Sequence, residues 1–247
     1  MSKIKIIDYI NASKTYDNTR NSDNLIIEIM AKRKVFNKND NILDFGCGTG
    51  NYLSKFSELY ECNCFGIEPS RGMRQKAIEK NPKLVILGGN HNNIPFEEDF
   101  FGLIYMTDVI HHVPDIGIMF KNFYKKLKHS GYICILTESW KQIENRWYNN
   151  YFPSLANNEK NRYPDIDKIV NISMENGLKL ETIDIKENSE ENIIGEHFIK
   201  MVEEKNYSMF RILDNEEYKN GLKELKQNIN QKVITKGAGE SIIWLKK

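Results

Sequence analysis

The residues whose types and spacing could carry chemistry begin with an aspartate that leads into an alternating glycine loop. The sequence from Asp44 to Gly50 reads Asp-Phe-Gly-Cys-Gly-Thr-Gly. At Gly46, Gly48 and Gly50 a side chain would hold the backbone away from a ligand lying across the loop. These residues predict binding of a nucleotide-like cofactor, and a glycine turn without a ligand is the alternative.

Two other glycine-rich loops fit this sequence less well. A dinucleotide loop of the form Gly-x-Gly-x-x-Gly would require its third glycine at position 51, which is Asn51. A phosphate-binding P-loop would continue as Gly-Lys-Ser or Gly-Lys-Thr, and this sequence does not. A nicotinamide dehydrogenase is therefore the least favoured enzyme class.

A strand must precede the loop and a helix must follow it if the loop is to face a ligand. Ile42 and Leu43 begin an apolar run that stops at the glycines, which predicts a buried parallel strand. Leu53, Phe56 and Tyr60 recur at helical spacing after the loop. The sequence therefore predicts a strand, loop and helix at the nucleotide-binding edge of a doubly wound sheet.

The string Leu-Asp-Phe-Gly-Cys-Gly-Thr-Gly resembles the first motif of class I S-adenosylmethionine-dependent methyltransferases, and most closely the small-molecule group that includes ubiquinone/menaquinone-type enzymes. The resemblance implies a Rossmann-like α/β fold with a seven-stranded, mostly parallel sheet whose last strand is antiparallel beside the sixth. It implies S-adenosylmethionine as the cofactor. The loop residues that it assigns to cofactor binding are Asp44, Gly46, Cys47, Gly48 and Gly50.

A second carboxylate follows the next predicted strand, Cys62 to Ile67. Glu68 lies a little under ~20 residues beyond the glycine loop, where nucleotide-binding folds place a carboxylate that accepts both ribose hydroxyls. A helix-capping or solvated glutamate is the alternative. Pro69 begins the next helix, and Met73 is placed either to contact the adenine or to pack in the core.

The segment after the third predicted strand resembles the family stretch Gly-Asp-Ala-Glu-x-Leu-Pro-Phe with two changes. Asn90 replaces the aspartate that accepts the adenine amino group in the family, and its amide oxygen can still accept that hydrogen bond. His91 stands where alanine is usual, so only its backbone N–H is assigned to adenine. Gly102, further on, replaces a common aspartate.

Candidate proton acceptors follow the fourth and fifth predicted strands. Thr107 leads into Ile-His-His-Val, which resembles the family segment facing the sulfonium of the cofactor. Neighbouring helical residues diverge by about 100°, so His111 and His112 are expected to face different ways, with His112 inward and His111 toward the substrate or a loop. Glu138 could orient a substrate, accept a proton or be a solvated loop residue.

Tyr16 and Arg20 resemble an amino-terminal lid. In many small-molecule methyltransferases an aromatic hydroxyl and a cation close over the methionine end of the cofactor. The alternative is that both are surface residues of a leading helix.

An aromatic segment follows Trp140 and indicates the substrate side. Trp147, Tyr148 and Phe152 combine apolar rings with polar neighbours, as small-molecule pockets do, although packing of a lid helix is the alternative. His197 is expected to face the same pocket from a helical insert.

Composition favours one soluble domain. The chain has 247 residues, 40% of them hydrophobic, with a net charge of +1 and scattered basic residues, so neither a membrane span nor a nucleic-acid surface is indicated and a cytoplasmic location is expected. Four cysteines without Cys-x-x-Cys spacing indicate reduced thiols, and no metal is expected. The predicted parts are lid helices over 1–40, a cofactor core over 41–139, substrate-side elements over 140–185 and a helical insert over 187–231.

Three functions remain open at this stage. The leading one is methyl transfer to a small molecule at an oxygen, nitrogen, sulfur or carbon atom. A tRNA or protein methyltransferase is the second, and a non-catalytic module that binds the cofactor for regulation is the third. The oligomeric state is not indicated.

Overall fold

A computed structural model of the chain describes residues 24–33 and 36–247. Strands and helices alternate through the first half of the chain. The strands are β1 (Asn41–Phe45), β2 (Asn63–Ile67), β3 (Val85–Leu87), β4 (Phe101–Thr107), β5 (Leu127–Thr137), β6 (Lys179–Ile193) and β7 (Lys232–Lys246). The helices are α1 (Asn24–Arg33), α2 (Asn51–Leu59), α3 (Arg71–Lys80), α4 (Ile116–Lys126), α5 (Trp140–Glu144), α6 (Leu155–Lys160), α7 (Ile166–Glu175), α8 (Glu196–Glu203), α9 (Met209–Ile212) and α10 (Asn215–Gln227), with 3₁₀ helices at Ile110–His112 and Trp147–Asn150.

All seven strands form one sheet in the order β3-β2-β1-β4-β5-β7-β6. The strands from β3 to β5 pair in parallel, and β7 pairs antiparallel with β5. The strand order reverses between β1 and β4, and in open α/β sheets ligands bind at the carboxyl ends of the strands beside such a reversal. The sheet confirms the predicted Rossmann-like fold, including the antiparallel last strand beside the sixth.

The described chain divides into two compact units. The sheet unit contains residues 24–33 and 36–137, Asp167–Asp184 and Ser241–Lys247. The helical unit contains Glu138–Ile166 and Ile185–Glu240. No helix within the described ranges is long and apolar enough to cross a membrane.

The core of the sheet unit forms around the predicted strand, loop and helix. Ile42 and Leu43 in β1 are fully buried, as are Leu53 and Phe56 on one face of α2. The apolar pattern that predicts these elements is therefore the pattern that is buried. This packing fixes the position of the loop between β1 and α2.

The helical unit has its own core and differs from the sequence prediction in two respects. The predicted insert begins later, because β6 continues to Ile193 and is joined to the β7 extension near Ile194, whose N–H donates to the Gln231 carbonyl at 3.0 Å. Phe152 is fully buried, and its ring packs against the backbone of Gly221, where a Cβ would lie 2.3 Å from it. Phe152 therefore fills a core instead of standing open to a pocket, and its contact with substrate stays a prediction.

Candidate active site

The glycine loop has the backbone conformation that its glycines predict. Gly46, Gly48 and Gly50 have φ values of +81°, +55° and +76°, a region that other residues adopt only with strain. The N–H groups of Gly46 and Cys47 both donate to the Ile67 carbonyl, at 2.8 and 3.0 Å. The loop is therefore tied to the end of β2.

Gly46 is required by internal packing as well as by its φ angle. A Cβ at this position would lie 2.7 Å from a Val109 methyl group. We expect Gly46→Ala to lower the free energy of unfolding by about 2 kcal/mol, measured from the midpoint of urea unfolding. Gly195→Ala is the matched control, because Gly195 has φ −93° and its Cβ would have no neighbour within 3.9 Å. Equal effects of the two substitutions would contradict this account.

Glu68 connects the glycine loop to the start of α3. Its side chain accepts the Gly48 N–H at 3.0 Å through Oε2 and the Ser70 N–H at 2.8 Å through Oε1. Glu68 is 8% exposed, so it is not a solvated glutamate, and the N-cap of α3 is Ser70. Burial raises the pKa of Glu68, while the two N–H groups and Arg74 oppose that rise. Each oxygen keeps a lone pair that a ligand hydroxyl can use.

Asp44 is a second buried carboxylate, near the end of β1. Only 2% of it is exposed, and burial raises its pKa from 3.8 to about 7. The Tyr105 side chain opposes this shift, and the charge of Glu68 adds to it. A cation bound nearby would favour the ionised form of Asp44.

The residues assigned to adenine are partly committed to the protein itself. Asn90 Oδ1 accepts the N–H groups of Asn92 and Asn93, at 2.9 and 3.3 Å, in the turn after β3. The His91 carbonyl accepts Asn122 Nδ2 at 2.7 Å. Met73 is buried, as core packing requires. The adenine contacts stay predictions.

Pro69 lies just beyond the carboxyl end of β2, and Thr107 lies at the carboxyl end of β4. Pro69 is exposed just before α3, and its carbonyl accepts Arg74 Nη1 at 3.0 Å. Thr107 is half-buried as the last residue of β4. Asp108 follows with φ +55°, a left-handed conformation at the strand end that sequence reasoning missed.

The two histidines follow β4 in a short helical turn. They belong to a three-residue 3₁₀ helix rather than an α-helix, and their ring centroids are 4.0 Å apart. His111 is half-buried with a buried Nδ1, whereas His112 is exposed. The assignment of His112 as the inward proton acceptor stays a prediction.

Glu138 immediately follows β5 and is held by an arginine. Arg146 donates Nε to Glu138 Oε1 at 3.0 Å and Nη2 to Oε2. The Arg146 side chain is 7% exposed and that of Glu138 is 16% exposed, so the alternative of a solvated loop carboxylate is wrong. A carboxylate in a bidentate pair with arginine is a poor base, because protonation would break the pair.

The arginine continues into a larger network of charges within the helical unit. Arg146 Nη1 lies 3.3 Å from Glu159 Oε2, and Arg162 Nη1 lies 2.5 Å from Glu159 Oε1. Arg162 Nη2 also donates to Ser208 Oγ at 3.1 Å. Two carboxylates and two guanidinium groups thus alternate, a cluster that sequence reasoning did not assign.

Aromatic rings stack beside this network in the helical unit. The ring centroids of Trp147 and Tyr148 lie 4.7 and 5.6 Å from that of Phe198. The Arg146 guanidinium carbon is 5.9 Å from the centroid of the Tyr148 ring. Burial raises the pKa of Tyr148. His197 is exposed on α8. The structure therefore brings two of the predicted substrate residues together.

Comparison with known proteins decides the family. Residues 17–183, more than half of the chain, match a family model described as a methyltransferase domain. The chain belongs to this methyltransferase family. The match confirms the predicted family, while the ubiquinone/menaquinone subgroup stays a prediction.

Individual relatives of this methyltransferase are distant. It is 33% identical over 104 residues to phosphoethanolamine N-methyltransferase 1 of Triticum aestivum, covering 38% of this chain and 20% of that one. A protein of Anabaena variabilis assigned as a methyltransferase of an antibiotic biosynthesis pathway superposes with a TM-score of 0.74 at 20% identity, over 92% of this chain and 98% of that chain. Phosphoethanolamine N-methyltransferase 2 of Haemonchus contortus, in complex with S-adenosyl-L-methionine, superposes with a TM-score of 0.60 at 15% identity. The match covers 99% of this chain and 58% of that chain. The chain thus spans a fifth of the wheat relative.

Two of the predicted cofactor residues of this methyltransferase, Tyr16 and Arg20, lie outside the described residues. Among those described, the structure brings Gly48 and Glu68 into direct contact. Asp44 and Glu68 are close enough for the charge of one to raise the pKa of the other. Only one feature of the sequence indicates the charge network around Arg146, namely that this arginine lies within an aromatic segment.

Proposed function

We propose that this protein transfers the methyl group of S-adenosylmethionine to a small-molecule acceptor. The observation that carries the proposal is the buried Glu68 carboxylate, fixed by the N–H groups of Gly48 and Ser70 at the carboxyl end of β2. A ribose offers two neighbouring hydroxyl donors, and a fixed carboxylate accepts both. Membership of the methyltransferase family supports a cofactor of this kind.

The described residues fit such a cofactor. Gly48 presents backbone without a side chain, and Asp44 offers a carboxylate whose ionised form a sulfonium cation would stabilise. We assign Asn90 and the His91 backbone to contacts with the adenine. Thr107 is assigned to a contact with another part of the cofactor. When bound, S-adenosylmethionine supplies an electrophilic methyl group.

The contribution of the chain to the reaction is then mainly positioning. Attack on an activated methyl group requires an acceptor atom held in line and water kept out. A base is needed only where the acceptor is a hydroxyl, a thiol or a protonated amine. We assign that role to His112, with Glu138 orienting the acceptor, since Arg146 holds the Glu138 carboxylate.

A small acceptor is favoured over a nucleic acid. The net charge is +1 and the basic residues are scattered, whereas nucleic-acid surfaces cluster Lys and Arg. We assign acceptor contacts to Trp147 and Tyr148, which are half-buried, and name His111 and His197 as further candidates. The wheat relative is named for phosphoethanolamine, a small molecule.

The test is calorimetric titration of S-adenosylmethionine into the wild type and Glu68→Ala. We expect micromolar binding by the wild type and a loss of about tenfold or more in the variant, because charge-assisted hydrogen bonds contribute about 1.5–3 kcal/mol. Glu79→Ala is the matched control, since Glu79 is exposed on α3. The affinity of this variant for S-adenosylmethionine should stay within about twofold of the wild-type value.

Three outcomes would contradict the proposal. They are absence of heat with S-adenosylmethionine, heat only with NAD as a parallel ligand, and equal affinity of the wild type and Glu68→Ala. Once binding is established, an acceptor screen that follows S-adenosylhomocysteine release separates catalysis from a purely regulatory module. Slow turnover with every acceptor would favour the module.

A further inference from the structure

Two thiols meet at the beginning of β2. Cys62 immediately precedes the strand and Cys64 is its second residue. Their Sγ atoms are 3.8 Å apart, and Cys64 Sγ is also 3.7 Å from the Cys62 carbonyl oxygen, to which it can donate. The chain bends at Cys62 just before the strand begins, and the two side chains lie together there.

The contact between the two sulfurs is the geometric basis for a bond between them. Their Sγ atoms are 3.8 Å apart. Bond formation requires the Cys62 and Cys64 sulfurs to approach to about 2.05 Å. A small rotation of the half-buried Cys62 side chain moves in that direction.

The two thiols differ in reactivity. The contact with the Cys64 thiol lowers the pKa of the Cys62 thiol, although burial opposes this. The same contact and burial raise the pKa of Cys64. Cys62 is also the more exposed of the two, so we assign the attack on an oxidant to Cys62.

The other cysteines provide an internal comparison. Cys47 and Cys134 are both buried, and burial is the largest cause that raises the pKa of each thiol. A buried thiol with a raised pKa reacts slowly with oxidants, because the thiolate is the reactive form. Oxidation should therefore be selective for the pair at β2.

We propose that Cys62 and Cys64 form a peroxide-sensitive dithiol that closes to an intrachain disulfide. The Cys62 thiolate attacks one oxygen of hydrogen peroxide, the O–O bond breaks, and hydroxide leaves a sulfenic acid on Cys62. The Cys64 sulfur then attacks the Cys62 sulfur, the S–O bond breaks, and the hydroxyl leaves as water with the Cys64 proton. The two sulfurs together lose two electrons, which the peroxide gains.

This site lies at the other end of β2 from the Glu68 carboxylate that carries the proposed function. Cys62 stands at the amino end of β2, whereas Glu68 follows its carboxyl end. Asn63, between the two cysteines, hydrogen-bonds through Nδ2 to the Asn41 side chain at 2.9 Å and the Lys38 carbonyl at 3.2 Å, away from the glycine loop. Failure of one proposal would leave the other standing.

The test is treatment of the folded protein with hydrogen peroxide, followed by intact mass spectrometry and peptide mapping. We expect the mass to fall by about 2 Da, with Cys62 and Cys64 joined in one peptide, and to return after dithiothreitol. Cys134→Ala is the matched control, which should still lose about 2 Da. Cys64→Ala should instead gain about 16 or 32 Da at Cys62, since no partner thiol resolves the sulfenic acid.

Cys62→Ser is the second variant, to be used if Cys64→Ala does not fold. Cys62 is only half-buried, so we expect the protein to fold with serine at this position. It should abolish the loss of about 2 Da. An unchanged mass of the wild type, the same loss in Cys62→Ser, or a disulfide-linked dimer would each overturn the proposal.

Discussion

Replacing Arg146 with alanine will lower the free energy of unfolding by about 3–5 kcal/mol. The substitution leaves the carboxylates of Glu138 and Glu159 without their shared partner, and these side chains are only 16% and 3% exposed. An uncompensated buried charge is among the costliest changes in a folded protein. Chemical denaturation of the wild type and the variant measures the difference.

Two further variants separate charge from packing in this test. Lys141→Ala is the control for an exposed pair, because Lys141 and Glu187 are 3.6 Å apart and largely solvated, and it should cost under about 1 kcal/mol. The double variant Arg146→Met and Glu138→Gln removes one charge of each sign, leaves Glu159 paired with Arg162 and should recover much of the lost stability. An Arg146→Ala effect no larger than that of Lys141→Ala would show that the network contributes little.

Replacing Asp44 with asparagine will make the protein more stable at alkaline pH and less able to bind the cofactor. The folded protein holds the Asp44 pKa at about 7, above its ordinary value of 3.8, so ionisation opposes folding. The stabilising contribution of the protonated form is complete below about pH 4 and is lost as the pH rises through 7. A difference of about three between the two pKa values corresponds to about 4 kcal/mol.

The pH profile is the decisive measurement for Asp44. Between pH 5 and pH 8 the stability of Asp44→Asn relative to the wild type should grow by about 2–3 kcal/mol and then level off, measured by urea unfolding. Asp167→Asn, at an exposed aspartate on α7, should change stability by under about 0.5 kcal/mol at both pH values. A constant difference between Asp44→Asn and the wild type would rule out the raised pKa.

Ionisation of Asp44 should raise the affinity for the cofactor, although it lowers the stability of the fold. A sulfonium cation stabilises the ionised carboxylate, so affinity of the wild type for S-adenosylmethionine should rise as Asp44 ionises near pH 7. Affinity of Asp44→Asn should be lower and independent of pH over this range. Stability at this position is then given up for ligand binding, a common trade at functional sites.

The part of the site that sequence predicts is the part with local signals. An apolar run ending in glycines marks β1 and its loop, and Glu68 lies at the spacing that nucleotide folds use. Each of these signals depends on residues close together in the chain. The structure confirms the strand, and it shows left-handed glycines in the loop and a buried Glu68 carboxylate beside it.

The part that sequence does not predict depends on contacts between distant residues. Arg146 contacts Glu138, Glu159 and Met209, and no spacing in the chain indicates these partners. Phe152 is an aromatic residue of the kind that lines pockets, but its ring fills a core. Its burial depends on packing against α10, a helix distant in the sequence. α-helical geometry predicts different directions for the two histidines, whereas the structure has them in a 3₁₀ turn with their ring centroids 4.0 Å apart.

The position of β7 has a consequence for how the chain folds during synthesis. β7 is the last of the described strands to leave the ribosome, yet it lies between β5 and β6, which are made earlier. Its residues Ile242 to Leu245 are fully buried, so until they emerge the β5 edge beside Ile133 and Ile135 has no partner strand. Such pairing between distant segments is slow and leaves nascent chains open to aggregation. A ribosome stalled before Ser241 should therefore carry a sheet that recruits chaperones, whereas a stall after Lys247 with a long tether should not.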